Sequence, residues 1–280
     1  MNTLKTGTLL LVLTLLLVFG GRMLGGQQGM TFALVFAAVM NLGAYFFSDK
    51  IALAMSGARP VTREQAPRMY AIMDRLCGKS GLPLPRLYVI PQAQPNAFAT
   101  GRSPARAAVA ATAGLLEAMD DEELEGVLAH ELAHVSNRDT LIMSVAATLA
   151  GAITYLAHMG QWAMIFGGYG GRDPAKRDNA LGALLMIFLA PLAALLIQLA
   201  ISRQREYSAD STAAGFIGHP YGLARALEKL GAYAKRIPMH GVEPSTAHLY
   251  IVNPFSGGGF ASLFSTHPPL DDRIRRLLGR

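Results

Sequence analysis

Residues 125–139 read EGVLAHELAHVSNRD. His130 and His134 stand four positions apart, with Glu131 directly after the first. Just upstream, Asp120, Asp121, Glu122 and Glu123 precede the apolar run. Acidic residues there favour a helix N-terminus, where free N–H groups and the helix dipole attract negative charge. On that helix, residues four apart lie one turn above each other, so both imidazoles can reach a single ion. Glu131 sits about 100° round, near enough to serve a water on that ion without ligating it. Leu124, Leu128, Leu132 and Val135 give the helix a separate apolar face for packing. The spacing therefore predicts zinc hydrolase chemistry on a rigid element, against the plainer reading of two ordinary interior or surface histidines.

Catalytic zinc usually takes three protein ligands and keeps one position for water. The third ligand must come from another part of the chain. Downstream, SRQREYSAD (202–210) again places two acids four apart, Glu206 and Asp210. Glu206 completes a His2Glu set. Asp210, one turn further on, can accept the N–H of a ligating histidine and fix its ring. Such a site would supply a water acidified by zinc, with Glu131 taking its proton as general base. The oxyanion formed on a peptide carbonyl needs a further donor. His267 in STHPPLDDRI (265–274) is the candidate, with Arg273 second. NAFATG (96–101) has the character of an extended substrate platform on which a peptide could add as a strand, with Asn96 and Phe98 at its start. Ordinary sheet residues are the alternative there.

The rest of the chain is unusually apolar. Of 280 residues 51% are hydrophobic and only 16% charged, where a soluble domain carries roughly a quarter charged residues. Four apolar segments approach the about 20 residues that span a bilayer: TGTLLLVLTLLLVFGG (6–21), 31–48, 140–171 and 179–202. A secretory signal would explain the first. No A-x-A site follows it, however, and a second span-length segment comes almost at once, so a membrane hairpin over 1–48 is the better reading. Basic residues after it (Lys50, Arg59, Arg63, Arg68) put the following region on the cytoplasmic side. Arg172, Lys176 and Arg177 fit poorly with an external turn in the second hairpin. The expected organisation is thus a hairpin (1–48), a first catalytic part (49–139), a second hairpin (140–202) and a second catalytic part (203–280). The fold class expected is a mainly α membrane protein with four hydrophobic helices and a discontinuous α+β, zincin-like domain holding a small sheet.

In the first catalytic part, 62–80 reads as an amphipathic helix and PRLYVI (85–90) as a strand. NAFATG and ARAAVAAT (105–112) flank a hairpin turn. The net charge of +6 comes without a basic stripe interleaved with aromatics, so the partner it indicates is an anionic membrane surface rather than nucleic acid. With a single cysteine, Cys77, the chain forms no internal disulfide.

HELAH, SRQREYSAD, NAFATG and THPPLDDRI together resemble the HtpX family of membrane zinc endopeptidases, relatives of the enzymes that process prenylated CAAX proteins. The resemblance runs over essentially the whole chain. It implies one Zn2+ held by His130, His134 and Glu206, with Glu131 as catalytic base. It also implies a bacterial inner-membrane location with a cytoplasmic catalytic domain, and unfolded or misfolded membrane proteins as substrates. The oligomeric state stays open. Two other classes remain: a membrane metal transporter or sensor, which needs ionisable residues inside the spans where only His158 is found, and a catalytically silent scaffold, which needs a fourth protein ligand.

Overall fold

A computed structural model describes residues 2–152, 203–237, 246, 249–252 and 268–279. Helix α1 (Asn2–Met55) is broken at Gly25 and Gly26. Gly26 takes φ 58°, a left-handed conformation open to glycine because it has no Cβ. There the chain doubles back, and Asn41 Nδ2 donates to Thr14 Oγ1 across the two arms at 2.8 Å. The second arm continues beyond residue 48, through Asp49 and Lys50, to Met55.

The polar body holds a four-stranded sheet in the order β1-β2-β4-β3, formed by β1 (Arg59–Pro60), β2 (Arg86–Ile90), β3 (Ala97–Thr100) and β4 (Ala108–Thr112). β2 and β4 are parallel, while β3 and β4 form the antiparallel hairpin read from NAFATG and ARAAVAAT. β3 is therefore an edge strand. Helix α2 (Pro67–Ser80) buries Met69, Ile72, Met73 and Leu76 on one face. After α3 (Ala113–Ala118) comes the motif helix α4 (Asp121–Ser136). Asp120 is its N-cap and exchanges reciprocal bonds with Glu123, a capping box that satisfies two of the free terminal N–H groups. The remaining helices are α5 (Thr140–Ala152), α6 (Arg203–Ile217), α7 (Tyr221–Arg236) and α8 (Leu270–Leu277).

The motif helix does not have the one-sided apolar face expected of it. It is buried on all sides from Val127 to Val135, because α2, α6, α7 and β3 surround it. Its approach to α7 depends on two glycines. A Cβ at Gly126 would lie 2.5 Å from the Leu223 nitrogen, and one at Gly222 would lie 2.2 Å from the Glu122 carbonyl oxygen. A second contact layer joins α5 to the hairpin: Leu141, Val145 and Leu149 pack with Leu13 and Ala44.

The expectation of four hydrophobic helices reduces to a coarser one. Among the described residues one helix is long and apolar enough to cross a membrane, Gly25–Met55. The first segment forms a shorter apolar helix, Thr6–Phe19, and the start of the third forms Thr140–Ala152. The rest of the third segment, and the fourth, lie outside the described residues.

Candidate metal centre

α4 and α6 meet face to face at their polar positions. His130 Nε2 and His134 Nε2 are 3.2 Å apart. Glu206 brings its carboxylate to both, at 3.7 Å from His130 Nε2 and 3.6 Å from His134 Nε2. Two donors on a tetrahedral zinc at about 2.0–2.1 Å sit roughly 3.3 Å from each other. The three side chains thus fit one such ion, and all three are buried.

Each imidazole has its other nitrogen on a carboxylate. Asp210 Oδ1 lies 2.9 Å from His130 Nδ1, so the sequence expectation for Asp210 has its geometric counterpart. The partner of His134 is Asp139, whose Oδ2 is 3.2 Å from His134 Nδ1. Asp139 was not among the expected site residues. Arg138 takes φ 58° just after the helix and turns the chain back, so that the Asp139 N–H bonds the His134 carbonyl at 2.9 Å. The sequence signal was an acid five residues past the second histidine, immediately beyond the helix end. Both carboxylates leave Nε2 as the nitrogen that faces an ion.

Arg273 occupies a different place from that expected of an oxyanion or substrate donor. It is fully buried and holds Asp210 through two bonds, Nε to Oδ2 at 2.9 Å and Nη2 to Oδ1 at 2.7 Å. Its Nη1 lies 3.4 Å from Glu206 Oε2 and donates to the Ile251 carbonyl at 3.2 Å. Its charge offsets a cluster of buried carboxylates that would otherwise stand uncompensated.

The electrostatics follow from these contacts. Burial alone would raise the Asp210 carboxyl, but the Arg273 guanidinium and the His130 imidazole override it and hold the group down at about 2. For His130, burial and Arg273 oppose protonation, yet Asp210 and Glu206 outweigh them and lift the ring to about 9. A proton held between two acids is what a metal cation replaces when it binds. Burial pushes the Glu131 carboxyl up; the two imidazoles draw it partly back, and Glu206 adds to the rise.

Asn96 and Phe98 are turned inward. The Asn96 Nδ2 donates to the Val252 carbonyl at 2.8 Å, and Phe98 packs edge-on against Tyr250 with centroids 5.3 Å apart. The Ile251 N–H bonds the outer edge of β3 at the Ala97 carbonyl, 3.0 Å away. These two side chains anchor the 249–252 segment rather than face open space, because Asn96 pairs with a backbone as another strand would. His267 lies outside the described residues.

The family model for peptidase family M48 matches residues 63–280, which contain the whole of this arrangement. The chain belongs to peptidase family M48. This M48 member is 58% identical over 277 residues to a protease HtpX homolog of Syntrophotalea carbinolica, covering 99% of this chain and 98% of that one. It is 51% identical over 266 residues to a protease HtpX homolog of Aquifex aeolicus, covering 94% and 87%. Among solved structures it resembles the crystal structure of S. mikatae Ste24p, with a TM-score of 0.52 at 22% identity. That likeness of fold covers 99% of this chain but only 65% of the longer Ste24p chain. The M48 chain described here is a membrane metalloprotease.

Proposed function

We propose that the chain is a zinc endopeptidase whose ion is held by His130, His134 and Glu206, and whose substrates are unfolded or misfolded membrane proteins. The observation that carries this reading is the convergence of two Nε2 atoms and one carboxylate beside a buried glutamate. Zinc bound there would acidify a water and polarise a peptide carbonyl. Glu131 is placed to act as general base towards such a water and to pass the proton on to the leaving amine, and its raised affinity for protons suits both roles. Asp139 and Asp210 hold the two imidazoles in one tautomer, and Arg273 keeps Asp210 ionised and in place. His267 is proposed as the donor to the developing oxyanion. The outer edge of β3 is proposed as the track along which substrate backbone lies, with the 249–252 segment occupying its first position.

The divided arrangement read from the sequence belongs to the same proposal. Residues 1–48 and 140–202 form two membrane hairpins, and 49–139 and 203–280 combine into one catalytic domain on the cytoplasmic face of a bacterial inner membrane. Asp139 immediately precedes the third apolar run and Glu206 follows the fourth, so the site stands close above the bilayer, within reach of substrates that leave it.

A matched pair of purified variants tests the reading. Glu131→Gln should keep about one zinc per chain yet lose cleavage of casein by roughly 100- to 10,000-fold. Glu206→Ala should lose most of its zinc. Wild-type cleavage by Glu131→Gln would show the protease assignment of that residue to be wrong.

A further inference from the structure

The tip of the β3–β4 hairpin and the end of the long apolar helix enclose a groove of about 720 Å³, lined by Phe46, Phe47, Lys50, Arg86, Arg102 and Arg106. Its charge is one-sided. The groove's single acid, Asp49, is engaged by Arg86 through a 2.7 Å contact, and Arg86 also donates to the Arg106 carbonyl at 3.4 Å. Lys50, Arg102 and Arg106 have no carboxylate partner among the described residues. Two of them lie against rings instead: the Lys50 Nζ is 5.6 Å from the Phe47 centroid, and the Arg102 Cζ is 5.0 Å from that of Phe46. Cations gathered in this way repel one another unless an anion lies among them.

The groove's height fixes which anion. Residues 27–47 of the helix rise roughly 30 Å, the thickness of a bilayer's hydrocarbon core. Phe46 and Phe47, 48% and 52% exposed, therefore reach the hydrocarbon boundary, and the cations stand at the level of lipid phosphates. A free phosphate would use the cations and leave the two phenyl rings bare in water. A lipid uses both. We propose that this groove binds one anionic phospholipid, its phosphate among Lys50, Arg102 and Arg106 and an acyl chain against Phe46 and Phe47. The inference rests on the membrane reading of the long helix. Its consequence is positional: the Arg102–Arg106 turn joins β3 to β4, so a lipid held there sets the height of the catalytic sheet above the bilayer.

The test uses the full chain in neutral detergent, titrated with phosphatidylglycerol or phosphatidylcholine and read by native mass spectrometry and thermal shift. Phosphatidylglycerol should be retained and phosphatidylcholine not. Arg102→Gln with Arg106→Gln should weaken retention more than tenfold, from about fivefold for each basic side chain. Arg63→Gln with Arg75→Gln, which removes equal charge elsewhere, should retain the lipid. Arg102→Lys with Arg106→Lys should keep most of the binding, which a folding defect would not. Equal retention by the glutamine pair, or equal loss in the distant control, overturns the proposal; so does millimolar inorganic phosphate displacing the lipid. Flotation with neutral phosphatidylcholine vesicles separates the premises. A chain that fails to float refutes the membrane reading, and one that floats without phosphatidylglycerol selectivity refutes the groove alone.

Discussion

The catalytic body hides its charges, whereas the N-terminal hairpin displays its hydrocarbons. His130, Glu131, His134, Glu206, Asp210 and Arg273 are all within 3% of full burial, while Phe32 is 75% and Val39 65% exposed. In water both arrangements would be unfavourable, and the reasons differ. The buried charges survive through pairing, Arg273 on Asp210, Asp210 on His130 and Asp139 on His134, while burial shifts Glu131 towards its neutral form. The bare side chains lie largely uncovered, Phe32 touching only the neighbouring Phe36 ring among the described residues, and their helix has the length of a membrane span. One region is satisfied from inside by pairing, and the other calls for satisfaction from outside, by an apolar solvent around Phe32 and Val39.

This contrast can be broken at either end. The largest effect should come from Arg273→Met, which leaves Asp210 and Glu206 facing each other without a cation. Chemical or thermal denaturation should show a loss of about 3–5 kcal/mol, the usual result of removing one partner from a buried pair. Next comes Val39→Asp, a change that is nearly neutral on an aqueous surface. If lipid surrounds Val39, membrane insertion should be disfavoured by about 2.5–3.5 kcal/mol, seen as loss of the chain from alkali-washed membranes. Retention at the unchanged level would argue that the exposed helix meets water or protein instead. A smaller effect is expected for Asp139→Asn, which keeps the size of the side chain but removes the charge behind His134. Competition with a chromophoric chelator should show zinc affinity reduced about 10- to 100-fold. Since the His130 ring holds its proton up to about 9, zinc affinity of the unchanged chain should rise with pH from near neutrality to that value and level off above it.

Much of the metal site was legible because helices convert spacing into geometry. His130 and His134, and Glu206 and Asp210, each lie one turn apart, and the acidic start of the motif helix announces its capping box. The β3–β4 hairpin was legible for a similar reason, with two short apolar runs around a Pro-containing turn. What escaped depends on the path of the chain outside regular elements. Asp139 reaches His134 only because Arg138 adopts a left-handed backbone, which nothing in an arginine foretells. Arg273 is read from sequence as a second candidate oxyanion or substrate donor, since its burial follows from α8 docking on α6 and α7. Asn96 and Phe98 stand at the strand read for them, but the sequence does not foretell that a segment some 150 residues later lies against them. The motif helix shows one apolar face in its sequence, since its alanines and glycine, which permit close approach from every side, carry little hydrophobic signal.

X-ray absorption at the zinc edge of the purified, zinc-loaded chain tests the central claim most directly. One zinc per chain is expected, with nitrogen and oxygen neighbours only at about 2.0–2.1 Å and the outer-ring signature of two imidazoles. That signature should fall to one imidazole in His134→Ala. A sulfur neighbour at about 2.3 Å, which would bring Cys77 into the site, or two imidazoles still present after His134→Ala, would contradict it.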